Sequence, residues 1–423
     1  MFQNTVRRFQ ARMIAGLLVT AAFLGATAKH STAQTAFEVL HVFNKTGDGQ
    51  QPMAGVQADP AGNLFGSAEF GGAHGFGAIF MLKPPPAGKT NWTEKVIFSF
   101  ADGNDGGIPG SPLSVAPEDE LVSSTLMGGT ANRGNIFRLS PPTSPLAPWT
   151  EKVLVNFQGQ SAGDGDGPLG PLLVEHNGTI FGTTSSGGTS NCGTAYQITP
   201  SSNGGTVEES VIFNFTCGAD GGRPQIGVIA DAKGNLFGTT ETNGDFNNGV
   251  VFQLTPPSDG SSDFQETTIL AFNVTDGAQP VAKLLAFNSS LYGVTFQGGQ
   301  FGQGVVFQLM PPAHAGASWT EVVLHSFSGG TDGGEPQTGL VPDGSGGFFG
   351  TASQGGATGN GNFFHLVPPA EQGGAWTLTP LHQFAGGNDG SVPSGELLKR
   401  GNTVFGTTQG GANGPATVYQ IIP

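Results

Sequence analysis

The sequence predicts an all-β fold, a seven-bladed β-propeller of four-stranded antiparallel blades closed by the N-terminal strand completing the last blade. Three observations lead to this prediction: 71 glycines among 423 residues, a unit of about 57 residues that recurs seven times, and chain ends that can pair with each other. Glycine is far above its usual frequency of roughly 7%. Together with 32 phenylalanines at fixed offsets, it indicates short strands joined by tight turns.

Two landmarks define the repeat. The first is a phenylalanine that closes a short apolar stretch and returns after 55 to 58 residues: Phe43, Phe100, Phe157, Phe215, Phe272, Phe327 and Phe384. The second is Asp-Gly-x-x-Pro, which follows each phenylalanine within a few residues; its aspartates are Asp48, Asp105, Asp164, Asp220, Asp276, Asp332 and Asp389. Seven copies of both landmarks, in step with each other, show that the chain is one repeat architecture.

Each unit predicts four strands bounded by turn residues. Ile226–Asp231 is an example of the first strand, Asn235–Thr240 of the second, and Val250–Thr255 of the third. Trp319–Phe327, after a Pro-Pro connection, is an example of the fourth. Stretches rich in Val, Ile, Phe and Thr between such turns are typical of antiparallel hairpins. Four strands per repeat describe a propeller blade, and a solenoid with shorter repeats and capped ends is the alternative.

The chain ends favour a closed ring. Phe37–Phe43 is a lone strand of the fourth type, whereas Ala416–Ile422 is a strand of the third type with no fourth strand after it. The last blade therefore lacks its outermost strand and the N-terminal region has one to spare. Pairing them would cover an exposed sheet edge, which is an aggregation hazard when left open.

The first 33 residues are predicted to be a signal peptide and not part of the fold. Arg7, Arg8 and Arg12 precede an apolar stretch, residues 13–28, which is too short for a stable membrane span. Small residues allow cleavage after Ala28 or Ala33, and we favour Ala33. We therefore expect one propeller domain over residues 34–423, with no membrane span and no anchor after Pro423.

The charge balance narrows the class of partner. A formal net charge of −15 disfavours nucleic acid and anionic lipid. We expect a monomer that is secreted, periplasmic or held at the cell surface, with an unidentified polysaccharide or protein as its partner.

The unit Asp-Gly-x-x-Pro … Gly-Asn-Leu-Phe-Gly-Thr-Thr … Gly-Gly … Gly-x-Val-Phe-x-Leu-Thr-Pro resembles the GloVer (choice-of-anchor) tandem repeat of secreted bacterial proteins. The resemblance covers residues 36–423. It implies export and a repeat fold, and it carries no catalytic residues to this chain. Two features depart from the family: the expected absence of a C-terminal sorting anchor, and Leu121–Thr125, where Leu-Val-Ser-Ser-Thr replaces Leu-Phe-Gly-Thr-Thr.

The two cysteines predict a disulfide. Cys192 is placed at the start of a third strand and Cys217 at the end of the following fourth strand. A register that sets these two residues opposite each other also sets Tyr196 opposite Phe213 and Ile198 opposite Val211. In an oxidising compartment, such a pair is expected to form a disulfide rather than stay as free thiols.

The seven motif aspartates allow two interpretations. Asp-Gly-Asp-Gly at residues 164–167 is similar to oxygen-rich calcium loops, but calcium needs six to eight oxygens and each loop offers one or two carboxylates. Alternatively, each carboxylate accepts backbone N–H bonds in an Asx-type turn that sets the entry to the inner strand. Recurrence in all seven units favours the structural interpretation, so we predict no cofactor and no metal site, with calcium as the alternative.

Two further sets of residues recur at equivalent positions. His41, His325 and His382 share Leu-His-x-Phe in the fourth strand, and because they belong to different blades we predict that they do not converge on one metal. Four tryptophans open fourth strands: Trp92, Trp149, Trp319 and Trp376. They are candidate platforms for sugar rings, but packing against the adjoining Pro-Pro turn is the interpretation that their equivalent positions favour.

Candidate catalytic residues are few. The units that depart from the pattern offer Glu118, Asp119 and Glu120, with Arg223 beside Asp220 and Glu335 beside Asp332. We therefore hold two hypotheses: a non-catalytic extracellular binding module, and a carbohydrate-active enzyme, either a glycoside hydrolase or a polysaccharide lyase. Two carboxylates roughly 5–10 Å apart in one pocket would favour the enzyme. A channel mouth lined only by Gly, Thr and backbone would favour the binding module.

Overall fold

The structure, a computed structural model, describes residues 35–423 except 46, 145, 202–205, 259–262, 315 and 372. The predicted signal peptide, residues 1–33, lies outside the described residues. The described chain forms seven four-stranded antiparallel sheets arranged in a ring, which confirms the seven-bladed β-propeller. None of its residues belongs to a helix long and apolar enough to cross a membrane.

Each blade lays its four strands in chain order from the central axis to the rim, except that blade 7 takes its outermost strand from the N-terminal end of the described chain. From the axis outwards, blade 1 consists of Val56–Ala58, Leu64–Ala68, Ala78–Lys83 and Thr93–Ser99, blade 2 of Ser114–Val115, Leu121–Thr125, Asn135–Ser140 and Thr150–Asn156, and blade 3 of Gly165–Val174, Ile180–Gly187, Thr194–Pro200 and Val207–Asn214. Blade 4 consists of Val228–Ala230, Leu236–Thr240, Val250–Thr255 and Gln265–Ala271, and blade 5 of Leu285–Phe287, Ser290–Thr295, Val305–Met310 and Thr320–Ser326. Blade 6 consists of Val341–Pro342, Phe348–Ala352, Asn362–Val367 and Thr377–Gln383, and blade 7 of Pro393–Arg400, Thr403–Thr408, Ala416–Ile422 and Ala36–Phe43. A two-stranded pair, Gly49–Gln50 with Phe70–Gly71, and three short 3-10 turns, Pro117–Asp119, Gln160–Ala162 and Gly387–Asp389, complete the described elements.

The ring closes as predicted. Ala36–Phe43 pairs antiparallel with Ala416–Ile422, from Ala36 opposite Ile422 to Phe43 opposite Ala416. The N-terminal strand thus becomes the outermost strand of blade 7, and the last sheet has the same four-stranded form as the others.

Several inner strands are shorter than the predicted example Ile226–Asp231. In blade 6 the first strand is reduced to Val341–Pro342, and in blade 4 to Val228–Ala230. The residues just before them bend away from strand geometry, as Gly227 does with a φ of 65°. An added Cβ at Gly227 would lie 2.2 Å from the carbonyl oxygen of Pro171, so neighbouring inner strands approach closely where they converge on the axis.

The register predicted around the cysteines is wrong. Tyr196 lies opposite Val211 and Ile198 opposite Glu209, because the fourth strand has a bulge beside Ala195 and Tyr196. The same bulge occurs between the third and fourth strands of every blade and leaves one aliphatic residue of the fourth strand unpaired: Leu40, Ile97, Leu154, Ile212, Ile269, Leu324 and Leu381. An extra residue in one strand shifts every later pair, which a register drawn from simple alternation misses.

The hydrophobic core lies between adjacent blades. Each landmark phenylalanine packs against an aromatic ring on the third strand of the next blade, with ring centroids 5.0 to 5.5 Å apart; the pairs are Phe43–Phe80, Phe100–Phe137, Phe157–Tyr196, Phe215–Phe252, Phe272–Phe307, Phe327–Phe364 and Phe384–Tyr419. The same third-strand ring explains the glycine of Leu-Phe-Gly-Thr-Thr. An added Cβ at Gly238, for example, would lie 2.5 Å from the ring of Phe252.

Candidate functional site

A cavity of about 270 Å³ lies on the ring axis, because all seven blades contribute their inner segments to its wall. In this cavity one residue from each repeat meets its six equivalents around a shared space. We compare these residues by their distance in sequence from the proline of Asp-Gly-x-x-Pro.

The residue directly after that proline always lines the cavity, and its identity changes from blade to blade. We call these residues the upper tier: Met53, Gly110, Leu169, Gln225, Val281, Gln337 and Ser394. Gln225 donates its side-chain amide to Glu241, and Gln337 donates to the Ser353 hydroxyl over 3.0 Å. The tier therefore combines apolar side chains with amides held in fixed orientations.

Two positions further on, most of the repeats have a glycine or a proline. This lower tier consists of Gly55, Pro112, Pro171, Gly227, Lys283, Gly339 and Glu396. Five members are glycine or proline, and the other two are a lysine and a glutamate that flank Gly339. Both charged residues line the cavity and also a second cavity of about 270 Å³ that adjoins it. They therefore lie within the channel, where the sevenfold pattern of the chain is broken.

The carboxyl group of Glu396 is held in an unusual environment. Its Oε1 is buried and has no hydrogen-bond partner among the described residues. Burial raises the pKa of Glu396, and the Lys283 ammonium opposes this rise. A third charged residue, Glu69, lines the same cavity, and burial raises its pKa as well. The channel thus contains two carboxyl groups that hold protons more tightly than free glutamate does, beside one ammonium.

We call the residue before each proline the clasp residue, because at six of the seven junctions its backbone N–H donates to the preceding blade. The seven clasp residues all adopt a left-handed conformation with φ between 52° and 66°: Gln51, Ile108, Gly167, Arg223, Gln279, Glu335 and Val392. Arg223, for example, donates its N–H to the Cys192 carbonyl of blade 3 over 2.9 Å and accepts from the N–H of Glu241 over 3.2 Å. Because six of the seven are not glycine, the inter-blade bonds maintain a conformation that L residues rarely adopt.

The predicted catalytic candidates do not enter the channel cavity. Glu118 and Asp119 form an exposed 3-10 turn between the first two strands of blade 2. Glu120 accepts a hydrogen bond from Ser140 and pairs with Arg138 over 3.1 Å.

Arg223 and Glu335 are clasp residues whose side chains bond locally. The Arg223 Nε lies 3.5 Å from Glu241, and Glu335 accepts from the amide of Gln354. Neither forms a contact with the aspartate beside which the sequence places it.

Each motif aspartate accepts a backbone N–H bond from a residue two to six positions earlier or from the residue that follows it; the aspartates are Asp48, Asp105, Asp164, Asp220, Asp276, Asp332 and Asp389. Asp220 shows the arrangement in full. It accepts from the N–H and hydroxyl of Thr216 over 2.8 and 2.6 Å, and from the N–H of Gly218 over 3.1 Å. These bonds order the loop between two blades, which is the role that an Asx-type turn has.

The three histidines of Leu-His-x-Phe lie at three different blade junctions and do not converge. His325 and His382 each lie 3.1 Å from the aspartate of their own loop, Asp332 and Asp389. His41 lies at the junction between blades 7 and 1, with its Nε2 3.7 Å from Asp48 Oδ2.

A glutamate that the sequence analysis did not single out faces the motif aspartate at five junctions. It lies six residues before the landmark phenylalanine, and the five are Glu94, Glu151, Glu209, Glu266 and Glu321. Burial, followed by the negative charge of the facing aspartate, raises the pKa of Glu94, Glu151, Glu209 and Glu321 to about 7.

Cys192 and Cys217 form a disulfide with a Cα separation of 5.5 Å. Both residues lie just outside the strands in which they were placed, two residues before Thr194–Pro200 and three after Val207–Asn214. The bond therefore joins the loop between the second and third strands of blade 3 to the loop that leads from blade 3 to blade 4.

The tryptophans are half-buried at the outer parts of the blades. Trp149 and Trp319 pack edge-on against Phe65 and Phe237 of the preceding blade, at ring distances of 5.7 and 6.0 Å. Trp319 also lines a surface cavity of about 510 Å³ with Pro311 and Pro312.

Lys283, Glu396 and Glu69 were missed by the sequence analysis. A signal was available for Lys283 and Glu396: with the units aligned on the proline, five small or cyclic residues and these two charged ones occupy the same position. It was overlooked because catalytic motifs are recognised by local spacing, whereas these residues are separated by whole repeats and meet only in the closed ring.

Among solved structures, the chain is similar to a proposed oxidoreductase (glucose dehydrogenase) from Thermus thermophilus, with 13% identity, 92% of this chain and 99% of that chain covered, and a TM-score of 0.45. It is also similar to an ancestral GH74 enzyme, with 13% identity, coverage of 87% and 48%, and a TM-score of 0.49. A puromycin-hydrolysing peptidase from Mycobacterium tuberculosis has 12% identity, coverage of 91% and 54%, and a TM-score of 0.49. None of these similarities assigns an activity to the chain.

No curated protein matches the sequence. The sequence profile of the Gloeobacter/Verrucomicrobia repeat matches residues 21–203, 87–265 and 260–423. These overlapping matches confirm the resemblance to the GloVer repeat that the recurring motif indicated. The chain therefore belongs to the Gloeobacter/Verrucomicrobia repeat family.

Proposed function

We propose that the protein is a secreted binding module that holds a hydroxyl-rich ligand, such as the end of a polysaccharide chain, in the mouth of its central channel. The observation that carries this proposal is the lower tier, where Lys283 and Glu396 replace the glycine or proline of the other five repeats. A purely structural position in a ring has no reason to differ between blades, whereas a binding site in a ring of repeats needs such differences.

The chemistry of the cavity suits a small polar ligand. Its volume of about 270 Å³ is near the lower end of ordinary ligand pockets, roughly 300–1,000 Å³. The upper-tier amides of Gln225 and Gln337 and the charged groups of Lys283 and Glu396 both donate and accept hydrogen bonds. Apolar side chains such as Met53 and Leu169 lie between them, as in sites that bind the alternating polar and apolar faces of a sugar ring.

The backbone that presents these side chains is rigid. Six of the seven clasp residues donate their backbone N–H to the preceding blade, and the following proline fixes the φ angle just before the upper tier. Binding therefore requires little ordering of the protein, which favours affinity.

A glycan array with the purified protein, followed by titration calorimetry on the bound glycan, tests the proposal. We expect Lys283→Ala and Glu396→Gln to weaken binding by at least about tenfold, since each removes a polar contact from a buried site. Lys89→Ala, an exposed lysine between two strands of blade 1, is the matched control and should bind as the wild type does. Equal binding by the channel variants, or no binding to any glycan, would overturn a saccharide site in the channel and leave a protein partner.

A second candidate function is glycoside hydrolysis or lyase chemistry in the same cavity. The observation that favours it is the presence of two carboxyl groups, Glu69 and Glu396, whose pKa values are both raised by burial. A carboxyl group with a raised pKa can act as a general acid. Incubation of the bound glycan with wild type and with Glu69→Gln, followed by product analysis, distinguishes the two: cleavage that Glu69→Gln abolishes would identify an enzyme, and intact glycan would identify a binding module.

A further inference from the structure

Three potential metal ligands meet at the seam of the ring, between blades 7 and 1. His41 comes from the outermost strand of blade 7, Asp48 from the loop that leads into blade 1, and Glu94 from the outermost strand of blade 1. One ligand atom from each residue lies within 4.8 Å of the other two. We propose that these residues form a binding site for a divalent transition-metal ion.

The polar atoms of this cluster are buried without being satisfied. The His41 side chain is only 10% exposed, and its Nε2 has no hydrogen-bond partner among the described residues. The Oε1 of Glu94 is likewise buried and unpartnered, as it is in Glu151, Glu209 and Glu321, so the feature that distinguishes this cluster is the unpartnered imidazole nitrogen of His41. An unmade hydrogen bond on a buried polar atom costs about 1–3 kcal/mol. An ion bound between these three side chains would give the buried His41 nitrogen the partner that it lacks.

The other junctions provide an internal comparison. Where His325 and His382 face their aspartates, the position of Glu94 is taken by Leu378 and Phe37, and each histidine bonds directly to its aspartate. Four other junctions have the glutamate, but the position of His41 is then apolar, occupied by Phe98, Val155, Phe213 and Leu270. The seam is the one junction with all three groups, and there the histidine stands apart from its aspartate.

The ligand set selects the class of ion. One imidazole nitrogen and two carboxylates suit Zn²⁺ or Mn²⁺, whereas Ca²⁺ prefers six or more oxygens. A surface cavity of about 450 Å³ lined by His41, Lys45 and Trp92 opens beside the cluster and gives access for the ion and for water ligands. The positive charge of Lys45 acts to lower the pKa values of His41 and Glu94, and the Lys45 side chain is exposed to solvent.

A bound ion would join the two outer strands across the seam. His41 belongs to the strand whose neighbour in the sheet of blade 7 is Ala416–Ile422, and Glu94 belongs to blade 1. The ion would therefore link the beginning of the described chain to the first blade and stabilise the closed ring.

Titration calorimetry with Zn²⁺, on full-length protein purified without a histidine tag, tests the proposal. We expect one Zn²⁺ per chain and a rise in Tm on saturation. His41→Ala and Glu94→Gln should each weaken binding by at least about tenfold. The matched control is His382→Ala, which removes an equivalent histidine whose junction lacks the glutamate and should bind Zn²⁺ as the wild type does.

A measurement on the wild type keeps the test decisive if a variant does not fold. Substoichiometric Mn²⁺ should broaden the NMR signals of the His41 ring and leave those of His382 sharp. Absence of Zn²⁺ binding at about 1 mM, unchanged affinity in folded His41→Ala, or broadening confined to other histidines would each overturn the site.

Discussion

The blade junctions on the two sides of the ring both contain the motif aspartate, but it faces an acidic side chain on one side and a basic side chain on the other. From blade 1 to blade 5 each aspartate faces a glutamate of the next outer strand; the pairs are Asp105–Glu151, Asp164–Glu209, Asp220–Glu266 and Asp276–Glu321. From blade 5 to blade 7 it faces a histidine instead, in the pairs Asp332–His325 and Asp389–His382. At both kinds of junction the aspartate accepts at least one backbone N–H bond from its own loop.

The difference shows that the repeat determines the loop, whereas the outer strands determine its charge. Burial raises the pKa of Glu151 to about 7 and the charge of Asp105 adds to the rise, so near neutral pH the Glu151 carboxyl group is partly protonated. Burial also acts to raise the pKa of Asp332, but hydrogen bonds from Ser328 and His325 hold it below its usual range. This second junction therefore keeps its carboxylate ionised. Two kinds of junction with one backbone should respond differently to pH and to substitution.

The largest expected effect is on stability as a function of pH. Glu151, Glu209 and Glu321 have pKa values of about 7 in the folded chain, against 4.5 for an ordinary glutamate. The folded state therefore binds more protons than the unfolded state between these values, and stability falls as pH rises through this range. Allowing for partial exposure, we expect about 1 kcal/mol from each group, and a Tm about 5 °C higher at about pH 5.5 than at about pH 8.

Calorimetric melting at the two pH values checks this expectation. The triple variant Glu151→Gln, Glu209→Gln, Glu321→Gln should lose most of the pH dependence. Burial lowers the pKa of His382, although Asp389 opposes the shift. His382 therefore makes stability rise with pH, in the wild type and in the triple variant alike. Equal pH dependence of wild type and triple variant would show that the facing carboxyl groups do not control it.

A smaller effect is expected from removing the aspartates themselves. Asp220→Ala removes three hydrogen bonds and should lower the free energy of unfolding by about 2 kcal/mol. Asp276 accepts one from Asn273, so Asp276→Ala should cost about 1 kcal/mol. Urea denaturation measures both. An equal loss in the two variants, or a loss that appears only when Ca²⁺ is present, would contradict the hydrogen-bond role and support a calcium loop.

Glu151→Leu should convert a carboxyl-pair junction towards the junction that has Leu378. Because it removes a buried, unpartnered oxygen that faces Asp105, we expect about 1 kcal/mol of stabilisation at about pH 8 and almost none at about pH 5.5. The exposed Glu371→Leu is the control and should change neither value. Stabilisation of the same size at both pH values would show that apolar burial, and not relief of charge, is responsible.

The smallest effect concerns the clasp residues. Val392 has a φ of 55°, which is strained for a β-branched residue, whereas the junction between blades 2 and 3 has Gly167 at the same position. Val392→Gly should raise the free energy of unfolding by about 0.5 kcal/mol if relief of strain exceeds the entropy of the added glycine. Thermal melting of Val392→Gly and of the reverse substitution Gly167→Val measures both effects, and we expect Gly167→Val to lose stability. A change of stability with the same sign in both variants would contradict the strain argument.

Much of the architecture can be predicted from the sequence because the residues that define the repeat lie close together in the chain. The Asp-Gly-x-x-Pro motif and the landmark phenylalanine gave the number of blades, the order of strands and the pairing of Phe37–Phe43 with Ala416–Ile422. The disulfide could also be predicted, since Cys192 and Cys217 flank strands that a hairpin makes neighbours. The strand register near them could not be predicted, because a bulged aliphatic residue such as Ile212 looks like any other strand residue.

The sequence by itself determined the architecture of this protein: hydrophobic periodicity and turn chemistry act between near neighbours and repeat seven times. Only the tertiary structure decided which side chains share a site. Lys283 and Glu396 lie two repeats apart in the chain, and His41 and Glu94 lie in strands of different blades, so their meeting depends on curvature and closure of the ring. Local patterns encode each blade, but the distance between two residues of different blades is determined by how all the blades pack.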